Sequence, residues 1–159
     1  MIGPIKYISR VLALRKWKSS NSRAIVPLSK VKSAVVLVDS SAEDASSVSR
    51  SVKQFFDYKS IPVELLCPVK EQLNYAGYLR KKFRLFNGTR QEDLYISLVT
   101  DPEDFAARFE ALCSPASFKV GCCQFEGESF DLLVSSPEGV EASQSARFSA
   151  IKEYLSKIV

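Results

Sequence analysis

Five apolar side chains in a row, Ala34 to Val38 in the stretch AVVLVD, constrain this chain's fold more than any other feature. A strand with one wet face alternates apolar and polar residues. An unbroken run marks a strand covered on both faces, as in parallel sheets flanked by helices. The next segments agree. Ala45, Val48, Val52, Phe55 and Phe56 recur at helical spacing, with Ser41 and Asp44 spaced as an N-cap and N3 pair. IPVELLC (Ile61 to Cys67), closed by Pro68, reads as a second strand. Strand, helix and strand form a βαβ unit with a right-handed crossover.

The pattern repeats further on. LYISLV (Leu94 to Val99) is a third strand, and DPEDF opens a helix. In that helix Asp101 serves as cap, Pro102 takes the first position and Asp104 complements the dipole. Phe105, Phe109, Leu112 and Cys113 form its buried stripe. FKVGC is a fourth strand and SFDLLVS (Ser129 to Ser135) a fifth, with EGE between them reading as a tight turn. A last helix spans about Ala142 to Ile158 and buries Phe148, Ile151, Leu155 and Ile158. The stretch between the second and third strands is less legible. Leu73 to Phe86 reads as a helix carrying Arg80, Lys81, Lys82 and Arg84, and Asn87-Gly88 as a turn. The expectation is a three-layer, Rossmann-like α/β sandwich with a mainly parallel five-stranded sheet. At 159 residues one domain accommodates it, over residues 33–159.

Residues 1–32 differ in character. Of the 22 lysines and arginines they hold eight, Lys6, Arg10, Arg15, Lys16, Lys18, Arg23, Lys30 and Lys32, and no acid. The remainder has 14 bases against 18 acids, so a mildly acidic body carries a basic arm. Ile5, Ile8, Val11 and Leu12 share one helical face, with Lys6 and Arg10 opposite. Those charges interrupt the apolar stretch that an export signal needs, so a cytoplasmic protein is expected. The alternative for the arm is a helix docked on the acidic surface of the body.

The stretch SPASFKVGCCQFEGESFDLLVSSPE carries Ser114, Ala116, Phe118, Lys119, Val120 and Gly121, followed by Phe130, Asp131, Leu132 and Val134. In these residues the chain resembles a family of uncharacterised Bacteroidota proteins, a domain of unknown function. Its members have a basic N-terminal helix, a strand-helix-strand start, an S-x-A-x-F-K-V-G motif and an F-D-L-x-I/V strand. The segment KKFRLFNGTRQEDLYISLVT follows that family only loosely. The resemblance implies a Rossmann-like fold and brings no activity with it. The same layout is similar, at the level of fold alone, to one half of some two-domain glycosyltransferases.

The chain has no histidine, which removes the commonest general base and every Ser-His or Cys-His arrangement. Cys67, Cys113, Cys122 and Cys123 lack the paired C-x-x-C spacing of structural zinc, so neither metal nor cofactor is expected. Adjacent strand residues face apart, so Cys122 and Cys123 read as packing residues, not a disulfide or redox pair. NGT (Asn87 to Thr89) reads as a turn. The loop DSSAED has no glycine to admit a phosphate, and its acids repel one. With strand order 2-1-3-4-5, Asp39, Ser40 and Ser41 converge with Thr100 and Asp101 on a crevice beyond the strand C-termini. That crevice gives the alternative function, a small-ligand-binding or enzymatic α/β domain. The favoured expectation is a non-enzymatic binding or adaptor protein. Its arm, through Lys6, Arg10, Arg15, Lys16, Lys18 and Arg23, contacts an anionic membrane surface at its inner face, nucleic acid or the ribosome, or a protein partner.

Overall fold

The computed structural model describes residues 3–19, 21–80, 83, 91–127, 130–134 and 143–158. Five strands form one sheet: β1 (Ala34–Leu37), β2 (Val63–Leu66), β3 (Leu94–Ser97), β4 (Phe118–Gly121) and β5 (Leu132–Leu133). All four pairings are parallel, in the order β2-β1-β3-β4-β5. The helices are α1 (Pro4–Trp17), α2 (Ala45–Tyr58), α3 (Phe105–Cys113) and α4 (Gln144–Lys157).

Alternation along the central strands sorts the core into two faces. Val36, Ile96, Phe118 and Val120 point towards α2 and α4, where Val48, Val52, Phe56, Phe148, Ile151 and Leu155 meet them. Val35, Leu37, Tyr95 and Val99 point the other way, against Ala107 and Ala111 of α3. All four residues of β1 are buried, as a continuous apolar run in a doubly covered sheet requires. The edge strands β2 and β5 are only partly covered. Helix α1 lies outside α3, where Ala13 joins Phe105 and Phe109 in a small separate cluster.

Four local expectations are corrected. First, β4 and β5 are not a hairpin. Phe125 is buried in the α3-side core and its ring lies 5.7 Å from that of Phe130. A side chain buried there does not fit a tight hairpin turn, and β5 runs parallel to β4, with Val120 opposite Leu132. Second, residues 73–80 are not helical. Leu73 bridges Leu79, Gly77 has φ +103°, and the Asn74 carboxamide oxygen accepts from the N–H groups of Gly77 and Tyr78. Asn and Gly close a turn here more easily than they extend a helix. Lys81, Lys82, Arg84 and the Asn87-Gly88-Thr89 turn lie outside the described residues. Third, the cap of α3 is Asp104, whose carboxylate accepts from Ala107 N–H at 3.0 Å. Asp101 instead folds a preceding turn by accepting from Glu103 N–H. Fourth, α2 begins after Asp44, while Ser41 belongs to the turn before it.

Most positions of the stretch from Ser114 to Gly121, and Asp131 after it, have a physical reading in the fold. The Ser114 hydroxyl donates to buried Glu92 at 2.8 Å and accepts from Ala116 N–H. Ala116 and Phe118 are fully buried. Lys119, only 2% exposed, donates from Nζ to the Ala111 carbonyl at 2.6 Å. Gly121 has no room for a side chain, because a Cβ would lie 2.5 Å from the Phe130 ring. Asp131 accepts from Lys119 N–H and from Arg23.

Candidate functional site

Two regions carry the residues singled out by the sequence. The first is the end of the sheet where strand order reverses, between β1 and β3. A cleft of ≈ 420 Å³ opens there, lined by Asp39, Ser40 and Ser41 after β1, Lys70 after β2, and Asp104 after β3. Thr100 and Asp101 are exposed and do not line it. Asp104 takes their place, and the signal for it was its position at the α3 N-terminus. Burial first, then the like charges of Asp101 and Asp39, push the Asp104 carboxyl up, although the Ala107 N–H opposes the shift. Most polar groups here are committed within the fold. Ser40 Oγ donates to the Pro68 carbonyl, and Ser41 Oγ donates to Asp39 Oδ1, both at 2.6 Å. Gln144, which carries no local signal in the sequence, accepts from Asp39 N–H at 2.6 Å and donates to the Asp39 carbonyl at 3.2 Å. Burial opposes ionisation of Asp44, yet hydrogen bonds from Ser145 and Gln144 hold its carboxyl below the ordinary range. The cleft is acidic with its hydroxyls occupied, so it offers little to an anion. Among the described residues no group of three or more carboxylates and thiols is placed to hold a metal.

Cys122 and Cys123 follow β4 and point to opposite faces of the sheet, into the α4-side and α3-side cores respectively. Burial pushes both thiols up to about 11; Arg147 pulls against this in each case, and Asp101 and Asp104 add to it at Cys123. Cys123 Sγ donates to the Val99 carbonyl at 3.4 Å. Thiols held protonated are poor nucleophiles.

The second region is the arm. Ala13 is buried and Leu14 partly so, both against α3, while Ile5, Ile8 and Leu12 are 70%, 56% and 57% exposed. The helix therefore docks by a narrow face of smaller side chains. Arg10 is drawn into that face: its guanidinium carbon lies 4.3 Å from the centre of the Phe105 ring and Nε donates to the Ala76 carbonyl at 2.6 Å. Beyond α1 the chain is stitched along the body. Ser19 N–H reaches the Leu112 carbonyl, Asn21 the Pro115 carbonyl and Ala24 N–H the Ser117 carbonyl. Arg23 pairs with Asp131 at 3.1 Å, and Val31 enters the core. Two of the six expected contact cations, Arg10 and Arg23, are thus used inside the fold. Arg15, Lys16 and Lys18 are exposed and Lys6 is half-exposed. Among the described residues, the cluster against which α1 docks is aromatic (Tyr78, Phe105, Phe109).

No helix among the described residues is long and apolar enough to cross a membrane. Compared with protein families, curated proteins and solved structures, the chain finds no significant match.

Proposed function

We propose that this protein is a non-enzymatic, peripheral binding protein that rests on the anionic cytoplasmic face of a membrane through the outer face of α1. The observation that carries the reading is the orientation of that helix. Ile5, Ile8 and Leu12 are spaced three and four residues apart, so they share one face, and that face points away from the body. Continuing the same spacing brings Arg15 and Lys16 onto it one turn later. A helix serving only the fold would bury its larger apolar side chains and expose its smaller ones. This one does the reverse.

An apolar strip bordered by lysine and arginine matches the boundary between headgroups and acyl chains. Each cation near an anionic leaflet contributes about 1 kcal/mol, and each large apolar side chain removed from water up to roughly 1.5–3 kcal/mol. Nucleic acid would use the cations but leave the isoleucines and leucine wet, which is why the membrane is preferred over it. The cleft beyond β1 and β3 supports the second reading, a small hydroxylated ligand held through Asp39, less well, because Ser40 and Ser41 are already bonded.

Flotation of the full chain with vesicles tests the proposal. The protein should float with phosphatidylserine-containing vesicles and stay behind with pure phosphatidylcholine, and rising salt should release most of it. Equal recovery with both lipids, or a gel shift with RNA unaccompanied by flotation, would refute the membrane reading.

A further inference from the structure

A groove of ≈ 700 Å³ runs between α1 and α3, on the flank of α1 that adjoins its exposed apolar strip. Its floor is apolar, formed by Val11, Leu14 and Leu112, and Arg15, Lys18 and Arg108 stand along its sides. One carboxylate, Glu126, also lines it. Arg108 is held in place by donating from Nε to the Glu126 carbonyl at 3.1 Å, while its Nη1 lies 3.8 Å from the Glu126 carboxylate. That carboxylate is 89% exposed, so it balances little of the charge. Burial, and after it the like charge of Arg108, draw the Arg10 guanidinium below its ordinary range. Arg10 itself does not line the groove, so the cations that face an entering anion are Arg15, Lys18 and Arg108.

Resting on the membrane reading, we infer that this groove seats the phosphate of one anionic phospholipid, with the start of an acyl chain lying along Val11 and Leu14. Charge and shape both select this occupant. Three cations against one carboxylate favour an anion, and guanidinium and ammonium groups are strong phosphate donors. The apolar floor adds a contact that a free phosphate cannot use. At 100° per residue, Val11 and Lys18 lie between the docked face of α1 and the strip of Ile5, Ile8 and Leu12, and Arg15 stands at the near edge of that strip. A lipid held there stays at the depth the strip reaches.

Titration calorimetry of the full chain with monomeric short-chain phosphatidic acid tests the inference, with short-chain phosphatidylcholine and glycerol phosphate as comparison arms. Phosphatidic acid should bind saturably, one per chain, phosphatidylcholine should not saturate, and glycerol phosphate should bind about tenfold or more weakly. Arg108→Gln should weaken phosphatidic acid binding by about tenfold or more, with the melting curve confirming the fold. Val11→Ser serves as a second variant that leaves every charge in place, and should also weaken it. Ile8→Asp should lose vesicle flotation yet bind the short-chain lipid as before. Flotation without saturable short-chain binding would overturn the groove and spare the membrane reading; short-chain binding without flotation would overturn the membrane reading alone. Undiminished binding in both Arg108→Gln and Val11→Ser, or glycerol phosphate binding as tightly as the lipid, would also overturn the inference.

Discussion

Arg10 lies over the Phe105 ring with its guanidinium carbon 4.3 Å from the ring centre, and it spends its Nε–H on the Ala76 carbonyl. This pairing fixes which face of α1 looks inward, and so which face is left to the outside. Arg10→Ala removes a cation–π contact and a hydrogen bond from a charged donor. The expected loss is about 1–3 kcal/mol in urea denaturation, together with faster proteolysis within residues 3–19. A variant as stable and as resistant as the parent would mean that α1 is held by its apolar contacts alone.

Gly121 and Phe130 make a second test, of the β4–β5 connection. The space a Cβ would need at Gly121 is occupied by the ring. Gly121→Ala should cost about 1–3 kcal/mol by overpacking, and adding Phe130→Leu should recover part of it. Additive losses in that double variant would place the two side chains apart.

Asp104 both caps α3 and sits among like charges. Asp104→Ala should lower stability by about 1 kcal/mol through loss of the cap. Asp104→Asn keeps the cap and removes a carboxylate that burial, Asp101 and Asp39 all disfavour, so its melting temperature at neutral pH should equal or exceed the parent's. A drop with Asn as large as with Ala would contradict the electrostatic account.

The thiols give a pH dependence with a defined sign. Cys122 and Cys123 titrate near 9.0 when unfolded and are pushed to about 11 when folded. Above 9 the unfolded chain ionises first, so the unfolded state gains. Their contribution to stability is therefore full below pH 9 and is lost as pH rises through 9 towards 11. Replacing both with alanine should flatten that decline. Alkylation near pH 8 should reach exposed Cys67 well before either of them.

What the sequence disclosed and what it hid divide along physical lines. The strands themselves are legible as apolar runs, signals carried by neighbouring residues, and the order β2-β1-β3-β4-β5, with its switch point beside Asp39, is the one expected for this fold class. Lost were features set by distant partners. Asp101 and Ser41 suit a helix cap as well as a turn, and tertiary placement gave the capping position before α3 to Asp104. Gln144 resembles any polar residue of a first helical turn, and nothing local shows that it clasps Asp39 from 105 residues away. Charge counting assigned Arg10 and Arg23 to an anionic partner, whereas Phe105 and Asp131, far along the chain, draw them in. The apolar face of α1 was visible in the sequence, but its direction depends on Tyr78, Phe105 and Phe109 claiming the opposite side.

That direction is the central claim, and paired substitutions on the two sides of α1 test it most directly. Flotation with phosphatidylserine vesicles should be abolished by Ile8→Asp and by Leu12→Asp, while thermal stability stays near the parent's because both side chains are exposed. Ala13→Leu, on the buried side, should lower stability and leave Ile5, Ile8 and Leu12 able to engage the vesicle. The account predicts this crossed pattern. Full flotation of Ile8→Asp and Leu12→Asp, or a large loss of stability in either, would contradict it.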